Sequence, residues 1–265
     1  RIFGDMKMEP VKVVAEIGIN HNGSVKIAKE MIRVAKEAGC DFVKFQKRDI
    51  YLVYTKEELD KYRESPWGTT NRDQKTGLEF EVEYDEIDRY CKEKGIRWFA
   101  SPWDCNSVEF LEKYNLSYTK IASPCVTDIV LLNAIKKTKR PVILSTGMST
   151  KKEVDDAINI LGDQIEYLLA CTSTYPTTDD EMNLKFIERL KVEYPQYKVG
   201  FSNHSPGIIY LCAAAAIGAK MLEFHITLDR SMYGSDQAAS IEVSGIQKVV
   251  KHVRNIEKAM GTGKW

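Results

Sequence analysis

Short apolar runs recur along the chain at intervals of roughly 20 to 50 residues, the spacing of strand–helix units. They read VKVVAEIGIN from Val11, DFVKFQK from Asp41, IRWFASPW from Ile96, YTKIAS from Tyr118, RPVILSTG from Arg140, IEYLLACTS from Ile165, YKVGFSNH from Tyr197 and KMLEFHIT from Lys220. Most are separated by amphipathic helical patterns. After the first run, Ile27, Met31, Val34, Ala35 and Ala38 repeat at helical spacing, with Ser24 as N-cap and Gly39 as stop. SVEFLEKYN and KEVDDAINILG behave likewise. GIIYLCAAAAIGA is apolar almost all round, which predicts a buried helix.

Near-continuous apolar strands alternating with helices predict a parallel sheet covered on both faces. Eight such units predict a closed (β/α)8 barrel; five to seven would have predicted an open sheet. The stretch from Tyr51 to Tyr84, between the second and third strands, is too long for a simple connection and reads as a lid or binding loop. A single barrel domain over 1–265 is expected.

Every predicted strand ends on polar residues. The first ends in Glu16 and Asn20-His21-Asn22-Gly23, the second in Lys44 and Gln46, the third in Ser101. The fourth carries Lys120 and Ser123, the fifth Ser145 and Thr146, the sixth Thr172 and Tyr175, the seventh Ser202 and His204, the eighth His225. A barrel gathers these ends at one mouth, where active sites of this fold sit.

Lys44 and Lys120 interrupt apolar strands, where an ammonium group needs an anionic partner. Each either snorkels or pairs with a nearby carboxylate, or the two join Ser101, Ser123, Ser145 and Ser202 in a cradle for phosphate or carboxylate. His204 and His225 end neighbouring strands. They are either hydrogen-bonded core histidines or two ligands of a divalent ion, with Mn²⁺ favoured over zinc for so small a ligand set. Glu16 is placed to orient a hydroxyl, to exchange a proton or to pair with a lysine. Asp236, in YGSDQAAS, closes over substrate, ligates through water or lies exposed. His21 reads as a loop residue near the mouth, and His252 sits on the terminal helix without a catalytic role.

Composition adds mostly exclusions. Lys+Arg and Asp+Glu are both 38, so no global field points to nucleic acid or an anionic membrane. No apolar run approaches a membrane span and no signal peptide opens the chain. The six cysteines are scattered without CxxC pairs, as expected of reduced thiols in a cytoplasmic enzyme. GxxxxGK[ST] and GxGxxG are both missing, so the anion is not expected to be a P-loop nucleotide or a Rossmann dinucleotide.

AEIGINHNGS, FVKFQK, VILSTGMST, CTSTYP, GFSNHSPG and HITLDRSMYGSDQAAS, in that order from about Val13 to Gly261, resemble the sialic acid synthase family, including its 9-phosphate-forming branch. The resemblance implies a barrel that condenses phosphoenolpyruvate with an N-acetylmannosamine-type aldose, giving a nine-carbon 2-keto acid and phosphate. By resemblance, Lys44, Lys120, Ser101, Ser123, Ser145 and Ser202 match phosphoenolpyruvate-binding positions. His204 and His225 match ligands of a metal, typically Mn²⁺, that holds and polarises the sugar aldehyde. Gln46, Tyr175 and Asp236 match positions near the acceptor sugar, and Glu16, Lys120 and Asp236 are the catalytic candidates. Phosphoenolpyruvate and an aldose are the expected partners, with a homodimer left open.

Two departures stand out. Cys125 follows Lys120 where many members of the family carry a glutamate, so a carboxylate role is missing there and Cys125 reads as a packing residue. The sequence ends at AMGTGKW, where many members continue into a small antifreeze-like domain that lends an arginine to the partner's site. That domain is expected to be absent. The alternatives are a condensing enzyme for another 3-deoxy-2-keto sugar acid, such as an octulosonate type, a Schiff-base aldolase using Lys44 or Lys120, and a binding protein without turnover.

Overall fold

The computed structural model describes residues 9–261; the start at Arg1 and the last residues to Trp265 lie outside them. Each of the eight apolar runs contains a strand: β1 (Lys12–Gly18), β2 (Phe42–Lys47), β5 (Arg97–Pro102), β6 (Thr119–Ile121), β7 (Val142–Ser145), β8 (Ile165–Cys171), β9 (Lys198–Asn203) and β10 (Met221–His225). β3 (Tyr62–Ser65) and β4 (Gly68–Thr70) form a separate antiparallel hairpin. The eight strands pair in the order β1-β10-β9-β8-β7-β6-β5-β2, parallel throughout, and the circle closes. The fold is the (β/α)8 barrel.

Burial accounts for the unbroken apolar runs. In β1, Val13, Val14, Ala15 and Ile17 are all fully buried, because alternate residues face the barrel interior and the helical ring. Each valine or isoleucine buried in this way stabilises the fold by about 1.5–3 kcal/mol. The first helix runs Val25–Ala38, with Ser24 Oγ accepting from the Ile27 amide and Gly39 in the left-handed conformation at its end. The helix Ile209–Ala216 departs from expectation. Its Leu211, Ala214 and Ala215 are buried but Ile209 is 68% exposed, so one face meets solvent. Runs of alanine carry too little hydrophobic contrast to show which face packs.

The long insertion is folded, where a loop was expected. Asp49 caps a helical turn at Ile50–Val53, and two capping boxes, Thr55 with Glu58 and Thr70 with Asp73, start the helices Lys56–Asp60 and Asn71–Leu78 around the β3–β4 hairpin. The insertion is anchored beside β1. Gly23 adopts φ +69, and a Cβ there would lie 2.1 Å from the Gly77 carbonyl; a Cβ on Gly77 would strike the Trp67 ring at 2.2 Å. Neither position has room for a side chain. Trp67 in turn meets Tyr233 edge-on, linking the insertion to the segment after β10.

Candidate active site

Strand register builds the centre of the mouth. Glu16 lies between Lys44 of β2 and His225 of β10, and Ser202 of β9 pairs with Glu223 of β10. A shift of register between Glu16 and Gly18 turns the β1 end, and Glu16 Oε1 accepts from Gln46 Nε2 at 2.9 Å. All twelve candidate residues line one cavity of about 310 Å³: Glu16, Lys44, Gln46, Ser101, Lys120, Ser123, Ser145, Tyr175, Ser202, His204, His225 and Asp236. That volume suits a small metabolite.

The two lysines are not free charges. Lys120 Nζ donates to both oxygens of Glu223, at 2.9 and 3.1 Å. Lys44 Nζ lies 3.2 Å from Glu16 Oε2 and 3.7 Å from Glu223 Oε1, and donates to Ser101 Oγ at 3.1 Å. All four charged groups are buried. Pairing with a carboxylate, one of the readings open from sequence, is thus what the protein alone adopts. Burial pushes the Glu223 carboxyl up, but Lys120 and Lys44 together outweigh it and hold it below the usual carboxylate range. Burial also lowers both ammonium groups, and the carboxylates answer unequally. Lys44, facing Glu16 and Glu223, ends above the ordinary lysine value. Lys120, facing Glu223 and repelled by Lys44, ends below it.

The hydroxyls surround this quartet. Ser202 Oγ donates to Glu223 Oε1 at 3.0 Å, and Ser123 Oγ accepts from the Gly147 amide at 3.1 Å. Ser145 Oγ is buried with no hydrogen-bond partner. An orphaned hydroxyl beside two ammonium groups is a donor awaiting an acceptor.

The imidazoles stand on the adjacent rim, ring centroids 5.7 Å apart. His204 Nδ1 donates to the Thr172 carbonyl at 2.6 Å, so Nε2 presents its lone pair, here to the Tyr175 hydroxyl at 2.9 Å. Burial, with repulsion from His225, lowers His204 to about 3, so the ring is neutral. His225 Nδ1 is buried without a hydrogen-bond partner, 3.8 Å from Asp236 Oδ2. Asp236 is half-buried and faces the mouth, unlike an exposed loop aspartate. Two imidazoles, one fixed by a backbone carbonyl and one orphaned, fit a divalent ion. Among the described residues no three His, Cys, Asp or Glu are grouped to hold a metal, so water or substrate would have to complete its shell.

The remaining expectations divide. His21 does not line the cavity: it is buried, stacked on Phe80 at 3.9 Å, and its Nδ1 accepts from the Gly23 amide. It braces the base of the insertion. His252 is exposed on the last helix. Cys125 is buried in the core, and burial pushes its thiol up to about 11, which suits packing and not nucleophilic attack. Sequence reasoning passed over Glu223, Arg48, Trp103, Tyr54 and Lys75, all on the cavity wall. Arg48 stacks on Trp103 and pairs with Glu79.

A closed parallel barrel with paired ammonium groups, hydroxyl donors and two imidazoles at the carboxyl ends of its strands defines a barrel-mouth enzyme for a small anionic substrate. Comparison narrows the class. A sequence model of the NeuB family matches residues 31–265. Human N-acetylneuraminate-9-phosphate synthase is 38% identical over 259 residues, covering 96% of this chain and 72% of that protein. N,N'-diacetyllegionaminic acid synthase of Campylobacter jejuni is 35% identical over 267 residues, covering 97% and 79%. The crystal structure of the sialic acid synthetase of Leptospira borgpetersenii in complex with citrate superposes with a TM-score of 0.86 at 31% identity, over 96% of this chain and 86% of that one. This chain belongs to the NeuB family of sialic acid synthase-type enzymes. No helix among the described residues is long and apolar enough to cross a membrane.

Proposed function

We propose that this enzyme condenses phosphoenolpyruvate with an N-acetylmannosamine-type aldose to give a sialic or related nonulosonic acid and inorganic phosphate. The observation that carries the reading is the single cavity shared by the Lys44–Lys120 cradle and the His204–His225 pair. In the reaction, C3 of phosphoenolpyruvate forms a bond to the aldehyde carbon, and the aldehyde oxygen gains a proton. Water then adds at C2, and phosphate leaves by C–O cleavage as the keto group forms.

Each part of the site has work in that sequence. Lys44 and Lys120 meet the anionic ends of phosphoenolpyruvate, which share the ammonium groups with Glu16 and Glu223. Ser101, Ser123, Ser145 and Ser202 add hydroxyl donors, Ser145 having none of its own bonds to break. Gln46, Tyr175 and Asp236 orient the acceptor. Glu16 is buried beside the cradle and exchanges the proton with the aldehyde oxygen or the incoming water. A divalent ion, with Mn²⁺ the expected one, would be held by His204 and His225 and would supply positive charge for the aldehyde oxygen.

A second reading, a Schiff-base aldolase, draws on the lowered Lys120 ammonium. The two-oxygen contact with Glu223 weighs against it, since it favours the protonated form. One experiment separates the two. The purified protein is given phosphoenolpyruvate with a panel of hexosamines and pentoses, and phosphate release and product mass are followed. We expect release only with an acylamino hexose and a product carrying all carbons of both substrates. No release with any hexosamine would remove the proposal; a borohydride-trapped pyruvate adduct on Lys120 would install the aldolase.

A further inference from the structure

Both ring nitrogens of His204 are bonded by the loop that follows β8. The Thr172 carbonyl accepts the Nδ1 proton, and Tyr175 turns its hydroxyl back to Nε2. Further on, the Thr177 amide donates to the His204 carbonyl at 2.9 Å, and Thr177 Oγ1 donates to the Thr174 carbonyl at 2.8 Å. The backbone on both sides of Tyr175 is thereby tied to His204 at the end of β9. The phenol is held less firmly. Tyr175 is 47% exposed, and among the described residues its hydroxyl bonds to His204 alone.

The Tyr175 ring covers the imidazole rim. It stacks on His204 with centroids 4.1 Å apart and meets His225 edge-on at 5.6 Å. A neutral imidazole that carries its proton on Nδ1 has one lone pair, on Nε2, in the plane of the ring. That lone pair serves a hydroxyl proton or a metal ion, one at a time. A backbone carbonyl on Nδ1 is the usual support of a metal-binding ring. The loop therefore prepares His204 for an ion with one residue and competes for the same nitrogen with another.

We propose that the Tyr175 hydroxyl is a displaceable cap on the metal-binding lone pair of His204. A divalent ion entering the rim takes Nε2, and the phenol swings about its side-chain bonds into the mouth, where it donates to the acceptor sugar. The inference rests on the metal and acceptor assignments above and deepens them: the ion prepares the acceptor site, so it binds before the sugar. Tyr175 is then a positioning residue whose two partners, His204 and the acceptor, take turns. The cap also weakens the apparent affinity for the ion, because only the uncapped fraction of the protein binds it.

Binding of Mn²⁺ to the wild type and to Tyr175→Phe, followed by electron paramagnetic resonance of the free ion, tests the cap. Phenylalanine keeps the stacked ring and removes only the competing proton. We expect Tyr175→Phe to bind Mn²⁺ about twofold to tenfold more tightly, the worth of one such hydrogen bond. Affinity that is unchanged, or weaker as for a lost ligand, overturns the proposal. The near-ultraviolet difference spectrum of tyrosine in the same titration gives a second reading. In the wild type it should change in step with Mn²⁺ binding, as one phenol loses its acceptor, and Tyr175→Phe should lack that change. A wild-type spectrum that stays flat while the ion binds also overturns the cap. The failures are distinct. A wild type that binds no Mn²⁺, or binds it no better than His204→Ala, removes the metal reading and the cap with it. Bound Mn²⁺ without a gain in Tyr175→Phe removes the cap alone.

Discussion

His225→Ala and His204→Ala should each lower kcat by on the order of 10²–10³, the loss seen when one stabiliser of developing charge is removed. Phosphoenolpyruvate affinity should stay within a few-fold of wild type. The reason is spatial: the cradle of Lys44, Lys120 and Ser145 is built on β2, β6 and β7, and neither histidine bonds to it. His204 spends its bonds on Thr172 and Tyr175, and His225 Nδ1 has none. Chelation of the wild type should reproduce the loss, and Mn²⁺ should reverse it. Steady-state kinetics, calorimetric binding of phosphoenolpyruvate and metal content per chain, measured on the same preparations, check the three statements together. Wild-type rates after chelation, or in either alanine variant, would contradict the metal assignment.

Glu223→Gln should be the most damaging single change to stability, at about 3–5 kcal/mol, because it leaves a buried positive charge uncompensated. Glutamine keeps the volume and a partner for Ser202 but leaves Lys44 and Lys120 with Glu16 alone. The pH dependence has a definite sign. The folded-state Glu223 carboxyl lies below its unfolded value of about 4.3, so its contribution is fully present above that pH and disappears as pH falls through the folded value. The gap between wild type and variant should therefore close in acid. In the variant, Lys120 is depressed further below its unfolded value, so the unfolded chain binds more protons and stability rises as pH is raised toward about 10. Phosphoenolpyruvate should also rescue the variant by supplying the lost negative charge. Chemical denaturation at several pH values, with and without phosphoenolpyruvate, reads all of this; a variant as stable as wild type at neutral pH would show that the quartet is not coupled.

The barrel was legible in the sequence because a buried parallel strand leaves an unmistakable trace: Val13 to Ile17 or Val142 to Leu144 have no solvent face to mark with polar residues. The strand ends were legible for the complementary reason. A polar side chain closing such a run would be stranded in the core unless it reached the open mouth of the barrel. Glu223 shows where the same logic stopped short. It interrupts MLEFH just as Lys44 interrupts FVKFQK, and a buried lysine pair calls for such a carboxylate. Lys75 and Arg48 carry no comparable signal. Lys75 reaches the mouth because a folded insertion sits on Gly23, Gly77 and Trp67, and Arg48, just past β2, is held there by Trp103 and Glu79; three-dimensional packing of that kind has no period in the chain. His21 was read only as a loop residue near the mouth; that it stacks on Phe80 and braces the insertion depends on the same packing and has no mark in the chain.

In the proposed reaction phosphoenolpyruvate itself is the carbon nucleophile at this mouth, losing phosphate by C–O cleavage. Phosphoenolpyruvate labelled with oxygen-18 at the bridging position, turned over with the accepted aldose, tests it most directly by mass spectrometry of both products. The label is expected in inorganic phosphate and none in the keto acid. Label retained in the organic product, with unlabelled phosphate, would mean P–O cleavage to pyruvate first, and would contradict it.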